Sequence, residues 1–392
     1  MIYLDYSATS PLLPEVKDAM LRVMDFSVEK SLGNPSSLHS TGSLGRDLLK
    51  SARASVAKLI NTRESELIFT SGGSESNNTV LHAFEGCPIL VSKIEHPSVL
   101  APAEKYGNPC IKLPVDKSGT LNLSILEEKL EDLLQSAPKQ KILLSVMTAN
   151  NEVGTLEPLK KISALVDSFK KRGLKIFFHS DATQAVGKIP LDVKSLKLDY
   201  LTFSSHKLGG PVGIGALFVR TGAPFTPIIL GGAQENKRRA GTSNVVLAEG
   251  FRVAAEKAVS TPTLFETTVR PLKDSLEKGI KERIPTARVL GGGLPNVLCV
   301  AFPAAEGEST QLYLDLEGFC VSTGSACASG DLEPSHVIMA MFSDAEVAHG
   351  SVRFSLGLDT KKSDLEKLLA VLPGIIKKIQ NLSTLKVKKE II

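Results

Sequence analysis

The chain has 392 residues, 42% of them apolar, which is enough to bury a large core and fits about two or three domains. Its net charge of +4 is small for that size, so its basic clusters (Lys237-Arg238-Arg239, and Lys386, Lys388 and Lys389) read as solvated surface, and no nucleic-acid module is present. The cysteines, Cys87, Cys110, Cys299, Cys320 and Cys327, form no C-x-x-C pair, so no metal site is expected, and an odd, sparse set fits a reducing, cytoplasmic setting better than a disulfide framework.

At the N-terminus Asp5 falls within the first apolar stretch with no basic region before it, so no signal peptide is read. No apolar run approaches the roughly 20 residues needed to span a bilayer, and no membrane association is expected. From 67 to 219 short β-type runs alternate with amphipathic helical stretches. Runs 67–70, 89–92, 142–147, 175–179 and 200–204 read as buried strands. Between them, Leu126, Leu130, Leu133 and Leu134 fall on one helical face, as do Leu159, Ile162, Leu165, Val166 and Phe169. Such alternation predicts an α/β fold with a mostly parallel sheet and helices on both faces. Between 204 and 215 there is too little chain for a crossover helix, so 216–219 is expected to run antiparallel. Beyond about 255 the pattern changes to a smaller α+β unit with a strand at 297–302. A capping box, Ser363-x-x-Glu366, precedes a helix over 365–372 that Pro373 is expected to interrupt. The expected division is a large domain over 13–255 and a small domain from 1–12 and 256–392.

Three motifs fall at predicted strand ends, where ligands collect in such sheets. Lys207, in Ser204-Ser205-His206-Lys207-Leu208-Gly209-Gly210, can be partly desolvated, so that its neutral amine forms a Schiff base. Taken alone it would be a surface lysine. Asp181 can pair with a pyridinium nitrogen and keep it protonated, although helix capping is an equally common task for such an aspartate. Thr70-Ser71-Gly72-Gly73-Ser74-Glu75-Ser76-Asn77 offers free N–H groups and close approach at a helix start, a phosphate cradle that is neither a Walker loop nor G-x-G-x-x-G. Together they describe a cofactor with a phosphate, a basic ring nitrogen and an aldehyde, which is pyridoxal phosphate. The run Val321-Ser322-Thr323-Gly324-Ser325-Ala326-Cys327-Ala328-Ser329-Gly330-Asp331 is nearly all small residues and is expected to carry a reactive thiol on a mobile loop. A buried, inert role suits Cys87 and Cys299 better.

On these residues the chain resembles the NifS/IscS-type cysteine desulfurases of the class V aminotransferase superfamily over nearly its full length. Further matching segments are Tyr3-Leu4-Asp5-Tyr6-Ser7-Ala8-Thr9, Gly33-Asn34-Pro35-Ser36-Ser37, Glu95-His96, Asn150-Asn151-Glu152-Val153-Gly154, Asp181-Ala182-Thr183-Gln184, Arg239-Ala240-Gly241-Thr242 and Ser351-Val352-Arg353-Phe354-Ser355. The resemblance implies the fold type I architecture of pyridoxal-phosphate-dependent transferases. It implies that Lys207 holds the cofactor and acts as the proton-transfer base, that His96 stacks on the ring, and that Asp181 and Gln184 meet its nitrogen and phenolic oxygen. Gly73, Ser74, Ser204 and His206 would hold the phosphate, with Thr242 supplied by the partner in a homodimer. Arg353 would bind the carboxylate of L-cysteine, with Asn34 and Asn151 nearby, and Cys327 would take the sulfur as a persulfide for a sulfur-acceptor protein. That acceptor would serve iron–sulfur cluster assembly or tRNA thiolation. Ser205 and Leu208-Gly209 depart from the commoner family residues, and the tail at 386–392 does not look like the family's scaffold-docking tail. A selenocysteine lyase, an aminotransferase and a sulfur carrier without cofactor are the alternatives the sequence leaves open.

Overall fold

The computed structural model describes residues 1–323 and 333–382. Its strands, in chain order, are β1 (Ile2–Tyr3), β2 (Leu67–Thr70), β3 (Ile89–Ser92), β4 (Cys110–Leu113), β5 (Lys141–Ser145) and β6 (Lys175–Asp181). They continue with β7 (Tyr200–Ser204), β8 (Gly215–Val219), β9 (Arg288–Leu290), β10 (Val297–Ala301), β11 (Phe319–Cys320) and β12 (Ser351–Ser355). Seven of them form one sheet in the order β2-β8-β7-β6-β5-β3-β4. Only β8 runs against its neighbours β2 and β7, as the short connection from β7 requires. The other strands therefore point their carboxyl ends toward the same edge of the sheet.

Successive residues of a strand face opposite sides of the sheet, and each side is apolar here. Leu67, Phe69, Leu201 and Phe203 join one core with Ala52, Val56, Phe251 and Ala255 of the helices Ser40–Leu59 and Val245–Ala258. Ile68, Val91, Tyr200 and Leu217 face the other way, against Val80, Leu81 and Val99 of the helices Gly73–His82 and Pro97–Tyr106. Each fully buried side chain of this size contributes about 1.5–3 kcal/mol by leaving water.

The chain beyond this sheet builds a second core around β10, which pairs antiparallel with β9 and β12. Leu4 packs there beside Leu276, Val300, Phe354 and Leu368, while β1 pairs parallel with β11, so the N-terminal residues join the C-terminal part of the fold. A further cluster of Ile94, Met147 and Val153 with Leu290, Cys299 and Ile338 ties the carboxyl edge of the large sheet to β10.

Three expectations need correction. Pro373 does not interrupt its helix, which runs from Lys362 to Leu382. A proline removes one backbone bond, but the apolar stripe of Leu365, Leu368, Leu369, Leu372, Ile375, Ile376 and Ile379 is buried on both sides of it and holds the helix together. Ser363 lies inside that helix, and the hydrogen bond at its start runs from the Lys361 N–H to Asp364 Oδ2 at 3.0 Å, so the box is displaced. The edge strand β4 was not expected, because its Cys-Ile-Lys-Leu sequence is mostly half-buried and lacks an apolar run. Among the described residues no helix is long and apolar enough to cross a membrane.

Candidate active site

Five loops leave the carboxyl edge of the sheet and converge on one cavity of about 460 Å³. The helix after β2 starts at Gly73, and the first N–H groups of any helix have no partner within it. Two residues further on, the Glu75 carboxylate receives Arg239 through both oxygens (Nε–Oε1 3.0 Å, Nη2–Oε2 3.2 Å), which braces this turn from outside. A side-chain carbon on Gly73 would come within 3.2 Å of Thr183 Oγ1, a buried hydroxyl with no partner of its own. Glycine thus keeps a cradle open between the helix start and Thr183, beside Ser74 and Ser204.

After β3, His96 caps the next helix by accepting the Ser98 N–H on Nδ1 at 3.1 Å. An accepting Nδ1 leaves any proton of the neutral ring on Nε2, and burial, partly opposed by Asp181, lowers the pKa so that the neutral ring is favoured. At the end of β6, Asp181 is nearly buried and oriented by two donors, Asn77 Nδ2 at 2.7 Å and the Thr183 N–H at 2.9 Å. After β7 a single 3-10 turn, Ser205–Leu208, places Lys207, whose Nζ donates to the carbonyls of Ser7 and Ala8 at 2.5 Å each. Next to it His206 contacts Thr9 Oγ1 at 3.1 Å, and burial reinforced by Lys207 and Lys188 pushes its imidazole down to about 4.

The opposite wall comes from β12. Arg353 donates from Nη2 to Asp5 Oδ1 at 2.7 Å and from Nη1 to the Asn151 carbonyl at 2.8 Å, with its side chain only 5% exposed. Its Nε is buried without a partner. The fork is therefore fixed by two anchors and still has N–H donors for a carboxylate in the cavity. Behind it Glu152, raised to about 7 by burial against the pull of the Ser335 hydroxyl and Arg353, receives that hydroxyl at 2.5 Å.

Ten residues singled out from sequence line this cavity: Gly73, Ser74, His96, Asn151, Asp181, Gln184, Ser204, His206, Lys207 and Arg353. Asn34 does not. Its exposed side chain accepts the Ser36 N–H at 2.9 Å. Thr242 is exposed and lines a separate crevice with Glu235 and Arg239. Cys327 lies outside the described residues, although Thr323, shortly before it in the chain, lines the cavity. Asp5, Ser7 and Thr183 also line it and were missed, though each sits inside a recognised motif; Gln311 had no local signal.

The donor set fits pyridoxal phosphate. The helix start with Ser204 and the unpartnered Thr183 hydroxyl suits the phosphate, the doubly held Asp181 suits a protonated ring nitrogen, and Lys207 suits an aldehyde. Fold and site together define a pyridoxal-phosphate-dependent enzyme of fold type I.

The class-V aminotransferase family profile matches residues 2–368. A cysteine desulfurase IscS of Dictyoglomus turgidum is 43% identical over 397 residues, covering 98% of this chain and 97% of its own. A cysteine desulfurase NifS of Azotobacter vinelandii is 41% identical, covering 97% of this chain and 94% of its own. The crystal structure of a NifS-like protein from Rickettsia africae superposes with a TM-score of 0.86 at 32% identity, over 96% of this chain and 99% of that one. The chain belongs to the class-V aminotransferase family and, within it, to the cysteine desulfurases of the NifS/IscS group.

Proposed function

We propose that the protein removes sulfur from L-cysteine, giving L-alanine and a persulfide on Cys327 for delivery to an acceptor protein. The observation that carries the reading is the convergence of Lys207, Asp181, His96 and Arg353 on one cavity in a chain whose relatives are named cysteine desulfurases. Those names do not favour the selenocysteine lyase alternative.

When bound, pyridoxal phosphate supplies an electron sink for negative charge developing at the substrate α-carbon. Gly73, Ser74, Ser204 and His206 would hold its phosphate, His96 would stack on the ring, and Asp181 and Gln184 would meet the ring nitrogen and the phenolic oxygen. Arg353 takes the substrate carboxylate with its remaining N–H groups, and the Asn151 carbonyl helps to hold the guanidinium. Lys207 Nζ removes the α-proton. The Cys327 thiolate then attacks the substrate sulfur, so that an S–S bond forms and the C–S bond breaks. That electron pair stays on the three-carbon fragment, which gains protons and leaves as alanine.

A second chain completes the site, with Thr242 of one protomer reaching the phosphate of the other. Support comes from Leu21, Met24 and Val28, an exposed apolar row on the helix Pro14–Lys30, and from the exposed Leu38, Leu44, Val212 and Leu230. The working division is a large domain over 13–255 and a small one from 1–12 and 256–392, in line with the packing of Leu4 into the C-terminal core. A cytoplasmic location accords with the unpaired Cys87, Cys110, Cys299 and Cys320.

The test is alanine and sulfide formation from L-cysteine with reductant, run beside Cys327→Ala. The parent is expected to form both and the variant neither. A yellow but inactive parent would retain the cofactor and remove the substrate, and equal activity in the two would remove Cys327 as acceptor.

A further inference from the structure

Lys188 sits behind the cavity wall, 2% exposed. Among the described residues no carboxylate lies within ion-pairing distance of it. Leaving a lysine there is costly unless its N–H groups are used. The bond the structure gives it is to Gln184 Oε1, at 3.2 Å. An amine of this kind offers hydrogens, so it selects the oxygen end of the amide and turns the NH₂ end away. That end, Gln184 Nε2, donates to the Ser7 carbonyl at 2.9 Å, the same oxygen that receives Lys207 Nζ at 2.5 Å. Lys188, Gln184, the Ser7 carbonyl and Lys207 thus form one chain of contacts running from the interior to the reactive amine.

We propose that Lys188 is a positioning residue, fixing the Gln184 amide as a donor toward the cavity and placing a second amine beside Lys207. The inference rests on the reading that pyridoxal phosphate is held by Lys207. Burial, reinforced by Lys207 and Arg353, lowers Lys188 to about 7, and it keeps N–H donors for Gln184 in either protonation state. The titratable and charged groups that face Lys207 across the cavity are Asp5, His96, Asp181, His206 and Arg353. Removing Lys188 leaves all of these in place and takes away positive potential wherever the amine is protonated, below about pH 7. It also frees the amide to turn its oxygen toward the cavity. Both changes make the nitrogen of Lys207 more basic.

The experiment is a pH titration of the visible absorbance of the cofactor-loaded protein, with cofactor affinity measured on the apoprotein and folding checked by circular dichroism. Lys188→Met is expected to raise the absorbance midpoint by about one unit and to weaken cofactor binding several-fold. Lys188→Arg, which keeps a cationic donor, is expected to titrate nearer the parent. A folded Lys188→Met that titrates and binds like the parent overturns the proposal. If methionine does not fold, Lys188→Gln keeps a donor and removes the charge, and a midpoint equal to the parent's overturns the electrostatic half. A parent without a visible chromophore would overturn the cofactor reading itself, which separates the two failures.

Discussion

A guanidinium is useful for holding a substrate carboxylate only if its plane is fixed, and Arg353 is fixed by Asp5 on one nitrogen and the Asn151 carbonyl on the other. Lysine has one nitrogen and no fork, so it cannot keep both anchors and still face the cavity. For Arg353→Lys the KM for L-cysteine is expected to rise roughly ten- to hundredfold, the equivalent of a lost charge-assisted hydrogen bond of about 1.5–3 kcal/mol. Steady-state kinetics checks it, and an unchanged KM would place carboxylate recognition elsewhere. Lys207, Asp181 and Arg353 were legible from their motifs. What the motifs did not reveal were the groups behind the site: Asp5 under Arg353, the Thr183 N–H on Asp181 and Lys188 behind Gln184.

Among the elements, strand periodicity was read well where both faces are buried, as in β3, β7 and even the edge strand β2, and badly in β4, the other edge strand, which is half-exposed. The sheet is closed at its antiparallel edge by Glu66 just before β2, whose carboxylate receives Thr62 Oγ1, Arg63 Nη2 and both the N–H and the hydroxyl of Thr221, just past β8. Burial pushes this carboxyl up, but the bonds from Arg63, Thr221 and Thr62 outweigh it and hold it at about 2, against an ordinary 4.5. A depressed folded-state pKa contributes stability that is complete above the unfolded value and disappears as pH falls from 4.5 through about 2. Glu66→Gln is therefore expected to lower the melting temperature at pH 7, by a loss of about 1–3 kcal/mol, and to differ less from the parent near pH 3. Thermal melts at the two pH values decide it; a gap that widens in acid would contradict the assignment.

For the whole molecule, the proposed dimer places a requirement on the surface. Leu21, Met24 and Val28 repeat at helical spacing on a face that is exposed in the single chain, while Val16, Ala19 and Val23 of the same helix are buried. A charge in the centre of that row, Met24→Asp, is expected to shift the protein toward monomer in light scattering. It should also weaken cofactor retention, because Thr242 of the second chain would be withdrawn. A variant that stays dimeric would move the interface to another face. A variant that becomes monomeric yet keeps its cofactor would remove Thr242 from the site.

The sequence by itself determined the α/β class, the antiparallel return of β8 and ten of the residues that line the cavity. Strand and helix periods and strand-end motifs are local, and several such motifs taken together single out a lysine and an aspartate that neither motif would alone. Only the tertiary structure decided that Asp5 anchors Arg353 across 348 positions, that Ser7 receives Lys207, and that Lys188 supports Gln184 from the interior. It also decided that Pro373 leaves its helix whole, since the stripe that holds the helix is stabilised by packing against residues far away in the chain. Contacts of this kind depend on how the cores close, and a period or a motif carries no record of them.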